Sequence, residues 1–490
     1  MNMRREFSLI LFLCMAHLLW AIDLDKENTL GFDIQGTARY VAMAGAMTAV
    51  GGDASAVRDN PAGLGIFRHN ELSVTLDYQL QPSKSGFGTV NDHLTTQFGL
   101  PQLSWVICFG DNDRLKGLVF NNLMLSYHRV AQYKRNLNLS GTFATSQTGL
   151  MAELTNGLTK NDFDRSPDDV WDDENIGWLS VLGYRAGLIE PFDSTSTDWH
   201  SILSPNEQVN ADLNIQESGT SDEYSIAYAA NISNRIYLGI NMNISTLLYS
   251  KTTTYTEQFD DGGGYALQSE IRMNGIGWST NIGVIYRPVN MLRIGASWQS
   301  PTLMAVNYSN NGSIESNVDT TGISQQISTP YNSYSSDKYQ LPMRSTFGLA
   351  YQFSTKGLLS VEYDYLHHFR HETADRYFLK IGGEYVCQNW FFRLGYAFLS
   401  AFMKHETEPL FRPIETDTRT DTDFRNVFYA HYASAGVGFR NRKMVAELAY
   451  QYRLQHIRQY AHYNQADTPF ELYPQTHRIV LTLAFGRSRF

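Results

Sequence analysis

The chain has 490 residues, a net charge of -10 and three cysteines. The acidic balance argues against nucleic acid as a partner, and Cys14, Cys108 and Cys387 are too few for a disulfide framework. Aromatic residues reach 13%, with 29 Tyr and 27 Phe, which suits a large sheet protein with aromatic girdles at two interfaces. Soluble sandwiches and propellers share that composition, so the pattern along the chain decides.

Arg4 and Arg5 precede an apolar stretch from Phe7 to Trp20, closed by Ala21 and a polar run from Asp23 to Asn28. This predicts a secretory signal peptide over 1–21, too short to span a membrane comfortably, with Leu19 an atypical residue before the cleavage site. No later run approaches about 18 apolar residues, so crossing a membrane by helices is excluded.

Residues 22–69 show no alternation. The stretches Gly36 to Gly51 and Gly52 to Leu64 instead carry small residues at the spacing of a tightly packed helix. Within them Pro61 fixes its own φ and biases the preceding residues toward an extended exit. Asn60 is then left to hydrogen-bond, although a plain helix stop accounts for the same residues.

From Glu71 onward fourteen segments alternate apolar with polar or small residues, the period-2 mark of a strand with two unlike faces. They lie near 71–81, 97–109, 117–130, 223–232, 235–256, 266–287, 291–308, 341–353, 357–367, 376–387, 390–400, 427–439, 443–453 and 477–486. Phe347, Leu349, Tyr351 and Phe353 share one face, and Ile479, Leu481, Leu483 and Phe485 do so in the last segment. Glu362 and Asp364 alternate with Val361, Tyr363 and Tyr365, and acidic residues facing lipid would cost some kcal/mol. The apolar face is therefore outside.

The connections alternate between short, as at Ser233-Asn234 and Gln388-Asn389, and long, as at 309–339, 401–425 and 454–475. Short inner turns and long outer loops mark an outer-membrane barrel, and an even strand number returns both termini to the periplasmic side. The predicted fold is all-β, a 14-stranded antiparallel transmembrane β-barrel over 70–490. Such a barrel encloses a lumen wider than side chains alone fill. Residues 22–69 are the natural hatch plugging it.

The longest connection, about 134–221, is too long for a turn and is expected to fold over the outer mouth. Helical spacing recurs in it at Gly149 to Leu158 and Asn175 to Leu188. Its acidic run, Asp162, Asp164, Asp168, Asp169, Asp172, Asp173 and Glu174, matches no calcium-loop spacing and reads as solvated surface.

Arg39, Met43 to Ala46, Asp53 to Ala56 and above all Asn60-Pro61-Ala62-Gly63-Leu64 resemble the N-terminal hatch of the FadL and TodX type of outer-membrane transporter. Asn281 to Pro288 and Leu341-Pro342 resemble strands of that family more weakly. The resemblance implies a hatch-gated channel, without catalysis or cofactor, for passive uptake of hydrophobic small molecules such as long-chain fatty acids. It gives Asn60, Pro61, Ala62 and Gly63 the gating role. It further implies lateral exit where the third strand is kinked, and Asn121-Asn122 interrupt the alternation of Val119, Leu123, Leu125 and Tyr127 there. Other members of the superfamily serve as secretion accessories or binding platforms, and some relatives are labelled haem receptors.

Hydrolase and zinc-protease motifs, the Cys-x-x-Cys pair and phosphate-binding glycine loops do not occur, so no enzyme is expected, although a barrel lipase, the rival from that class, needs no Gly-x-Ser-x-Gly. His367, His368 and His371 could hold a metal or haem, but read more simply as loop histidines beside aromatics. Phe490, the terminal aromatic after an amphipathic strand, resembles the signal by which assembly machinery recognises barrels. The expected partners are hydrophobic ligands, outer-membrane lipids with lipopolysaccharide, and that machinery; the expected state is a monomer in the outer membrane of a Gram-negative cell.

Overall fold

The computed structural model describes residues 33–85, 91–110, 116–204, 207–318, 325–368, 375–401, 418–460 and 470–486. The signal peptide, His371 and Phe490 lie outside the described residues.

The fourteen strands are β1 (Glu71–Ser85), β2 (Asn91–Gly110), β3 (Leu118–Phe143), β4 (Val209–Ile232), β5 (Ile236–Gln258), β6 (Gly264–Val289), β7 (Leu292–Gln299 and Leu303–Ser316) and β8 (Gln325–Ser328, Ser333–Gln340 and Met343–Gln352). They continue with β9 (Gly357–His367), β10 (Arg376–Cys387), β11 (Trp390–Leu399), β12 (Phe424–Arg440), β13 (Met444–Tyr460) and β14 (Phe470–Leu472 and Gln475–Gly486). Each pairs antiparallel with its chain neighbour, and β1 pairs with β14 from Glu71↔Gly486 to Leu80↔His477. The sheet is closed.

The alternation read from the sequence falls on the expected faces. Phe347, Leu349, Tyr351 and Phe353 are exposed, as are Val361, Tyr363, Ile479, Leu481 and Phe485, while Thr346, Ala350, Glu362, Asp364, Val480 and Thr482 are buried inward. An apolar belt around an exterior with buried polar residues inside is the arrangement a bilayer requires. No helix among the described residues is long and apolar enough to cross a membrane.

The short turns follow from local stereochemistry. Ser233 and Asn234, at φ 54° and 56°, join β4 to β5 through two left-handed residues, the geometry that matches strand twist. Gln388, at φ 55°, opens the turn between β10 and β11.

Strand ends differ from the sequence reading on the outer side. β3 runs to Phe143 and β4 starts at Val209, so the long connection spans 144–208 and not 134–221. These extensions lie beyond the roughly 9–11 residues that a bilayer needs, where no apolar belt marks them. The connection folds as α3 (Gln147–Thr155), α4 (Lys160–Phe163), α5 (Pro167–Trp171), α6 (Trp178–Arg185) and a small hairpin of Ile189–Pro191 with Trp199–Ser201. Ser146 caps α3 by accepting from the Thr148 amide, and Thr159 with Asp162 forms a capping box on α4.

Trp171, Trp178, Leu182 and Trp199 from this connection share one apolar cluster with Leu137 and Phe143 of β3, Leu213 of β4, Tyr255 of β5, Phe424 of β12 and Phe470 of β14. Because those strands ring the mouth, the connection is a lid. Its acidic run is engaged locally: Asp162 in the cap, Asp173 with Arg165 at 2.6 Å, and Asp164 accepting from the Tyr184 hydroxyl at 3.0 Å.

Leu394 on β11 is 70% exposed on the outer face. Replacing it with Arg should cost about 2–4 kcal/mol if that face meets hydrocarbon. Heat-modifiable migration on gels would show a smaller folded fraction; unaltered folding into bilayers would mean that the belt meets water.

Candidate functional site

Nearly every described residue of the N-terminal segment is buried inside the barrel. It is built from α1 (Ala38–Ala42), α2 (Ala56–Asp59) and a 3-10 turn, Pro61–Ile66. Thr37 caps α1 by accepting from the Tyr40 amide, and its hydroxyl donates to Asp53 at 2.7 Å. Small residues dominate because the segment touches the wall through backbone.

The wall answers with glycine. Three cross-strand pairs directly face one another, Gly239 with Gly283, Gly295 with Gly348, and Gly382 with Gly395. A Cβ at Gly382 would lie 2.6 Å from the Met43 carbonyl oxygen, one at Gly295 would lie 2.9 Å from Ala49 Cα, and one at Gly239 would run into Pro61. Any side chain larger than hydrogen would lift the segment off its seat.

Asn60 is fully buried and ties three elements together. Its Nδ2 donates to the Thr48 carbonyl at 2.9 Å and to the Val284 carbonyl of β6 at 3.2 Å, while Oδ1 accepts from the Ala62 amide at 3.1 Å. It thus closes α2 and caps the 3-10 turn that Pro61 begins. Gly63 lies against Gly51, with its carbonyl accepting from the Gly52 amide at 3.1 Å, and Ala62 is buried against β5.

Charge latches the seat. Arg344 of β8 donates to Asp59 at 2.7 Å, Lys380 of β10 reaches Glu362 at 2.7 Å and Asp364 at 2.8 Å, and the Thr48 amide donates to Glu362 at 2.7 Å. Burial alone would raise the Asp59 carboxyl, but the Arg344 guanidinium and the Lys380 ammonium overcome it and hold that group well below the usual carboxylate range. Its contribution is therefore present above the ordinary carboxylate range and lost only as pH falls through the depressed value. A second clamp joins Arg39 to Glu384 at 3.0 Å, which Arg393 of β11 also holds at 2.6 Å. Neither clamp was legible in the sequence, since the wall partners are scattered over four strands.

The structure moves the expected kink. β3 pairs continuously through Asn121 and Asn122 with both neighbours, and its register breaks instead at Val119 and Val130. Asn122 keeps step with the inward Met124 and is fully buried, its Nδ2 donating to the Leu64 and Phe67 carbonyls at 2.8 and 3.0 Å, while the bulge turns Val119 inward. Asn122 is a hatch contact. The seam between β2 and β3 ends elsewhere: pairing covers only Gln102 to Gly110 against Phe120 to His128. Beyond it β2 pairs with β1, where the register shifts around Leu100 and Pro101, and β3 pairs with β4.

Above the hatch the inward face of β5 to β8 carries a hydrophobic band. Leu247, Tyr249, Ile271, Met273, Met304, Val306, Tyr308 and Tyr339 form one buried cluster. Among the described residues no group of His, Cys, Asp or Glu is arranged to hold a metal. His367 pairs with Asp375 at 3.0 Å and stacks on Tyr365. Cys108 and Cys387 are free thiols.

Solved structures share this architecture. A Pseudomonas aeruginosa FadL homologue superposes with a TM-score of 0.55 at 10% identity, covering 93% of this chain and 99% of that one. The Pseudomonas putida toluene transporter TodX gives 0.51 at 12% identity, with 93% and 99% covered. The FadL and TodX likeness expected from the hatch motif therefore holds at the level of the fold. No family model matches the sequence, and no curated protein matches it either.

Gly283→Val would drive a side chain into Asn60 and should destabilise the seated hatch by about 1–3 kcal/mol. Limited proteolysis would then cut within 34–67 several-fold faster than in the wild type; equal protection would show that the glycine seat is not what holds the segment.

Proposed function

We propose that this chain is a non-enzymatic outer-membrane channel for passive passage of hydrophobic small molecules, with long-chain fatty acids and small aromatic hydrocarbons as the candidate classes. The carrying observation is the wall between lid and hatch. A water-filled pore is lined by polar residues, whereas eight apolar side chains of β5 to β8 form one inward cluster here.

A ligand leaving water for such a wall gains about 0.8 kcal/mol per methylene, and keeps that gain on passing into membrane hydrocarbon. Diffusion down a gradient then needs no energy source. The hatch blocks the direct inner route, and Asn60, Pro61, Ala62 and Gly63 are the residues whose displacement would open it. The β2–β3 seam offers lateral exit, because above Gln102 and His128 the two strands are not paired to each other. Pro101, which has no amide proton to donate, lies where the seam ends. The monomer, in contact with lipid and lipopolysaccharide after insertion by the assembly machinery, would suffice for this route.

The test is flux into proteoliposomes of labelled oleate and toluene, with a small sugar as control. Faster entry of either hydrophobic probe than in protein-free vesicles, without sugar entry, is the expected result; no gain for both probes would overturn the proposal. The seam is tested separately. Lys134 Nζ lies 2.9 Å from the Thr96 carbonyl across it. Joining Thr96→Cys and Lys134→Cys with a short bis-maleimide should cut uptake several-fold, and undiminished uptake would place the exit elsewhere.

A further inference from the structure

The outer connection before β12 does not stay outside. Its end, 418–423, turns into the barrel, and Arg419, Thr420, Asp421, Thr422 and Asp423 are all buried. Thr420 Oγ1 lies 2.8 Å from Ser269 Oγ of β6, and Asn310 Nδ2 of β7 donates to the Thr418 carbonyl. Asp421 meets the ammonium of Lys251 on β5 at 2.8 Å, and Asp423 meets Arg135 of β3 at 3.1 Å. In a ring of fourteen strands β5 stands opposite β12. The segment therefore crosses the lumen as a strap.

It crosses at a particular height. Lys251 lies two residues outward of Tyr249 on β5, and Ser269 lies two outward of Ile271 on β6, so the strap borders the apolar cluster on the side facing the lid. Its charges are also particular. Lys251, Arg135 and Arg425 stand on the wall with Glu217, which Arg135 holds at 3.2 Å and Arg425 at 2.9 Å. Three cations against one carboxylate leave an excess of two, and the strap supplies two carboxylates, while Arg419 pairs with Asp421 within the strap itself. Withdrawing the strap alone would strand buried cations, which is strongly unfavourable. Another anion in its place would not.

We propose that 418–423 is a self-latching upper gate: Asp421 and Asp423 occupy the cationic wall site of Lys251 and Arg135, and an amphipathic carboxylate opens it by taking their place. This rests on the channel reading above and sharpens it, since a neutral hydrocarbon has no group with which to displace the strap.

The gate is read without transport. Thr420→Cys, in the full chain with Cys108→Ser and Cys387→Ser, is exposed to a polar maleimide with no addition, with laurate, or with dodecane. Laurate should raise the labelling rate several-fold and dodecane should not; no rise with laurate, or equal rises with both, would overturn the proposal. Lys251→Met should label fast without ligand, and protection like that of the unaltered wall in a normally folded barrel would also count against it. Oxidising Thr420→Cys to Ser269→Cys should then stop laurate flux, and reduction should restore it. Flux that continues through the oxidised form sinks the gate, whereas ligand-dependent labelling without flux in any form would leave the gate standing and overturn the channel.

Discussion

A sheet in hydrocarbon cannot have an edge, because each unpaired amide or carbonyl would cost several kcal/mol with no water to satisfy it. Ten residue pairs between β1 and β14 meet that condition here. Closure at fourteen strands then fixes a circumference, and the circumference fixes a lumen too wide for wall side chains alone to fill. The hatch, the glycine seat and the buried charges all answer that one geometric demand.

They answer it in two chemically different ways. Backbone against glycine gives close contact with little specificity for charge, while Asp59 with Arg344 and Arg39 with Glu384 give a definite position. Buried ion pairs add little net stability but are expensive to break singly. A plug held by both kinds of contact is stationary in the absence of ligand, yet is made of separable pieces and contributes no strand to the sheet. The same two chemistries recur higher up, where apolar aromatics hold the lid and carboxylates hold the strap.

Most of the barrel was legible because lipid writes a period of two onto every strand that crosses it. All fourteen strands followed from that alternation, and the short turns followed from residues such as Ser233-Asn234 that accept left-handed backbone. The hatch was legible for the opposite reason, since small residues without alternation have no place in a wall. The failures have equally physical causes. One bulged residue, Val119, is buried inward where the alternation had it facing out, and a bulge leaves no mark in composition. The strap reads as a polar loop, Arg419-Thr-Asp-Thr-Asp423, because its partners Lys251 and Arg135 are remote in the chain. The glycine pairs are individually unremarkable and become a seat only when the register aligns them.

The strands are also unequal, 26 residues in β3 and in β6 against 10 in β11 and 11 in β9. A bilayer consumes a similar length from each. The strand wall is therefore bevelled, a tall half-cylinder carrying the lid on one side and a low sill on the other, near the level of the headgroups. Under the channel reading proposed above, this difference in height among the described strands would give a molecule moving along the membrane surface and one coming from open solution different first contacts.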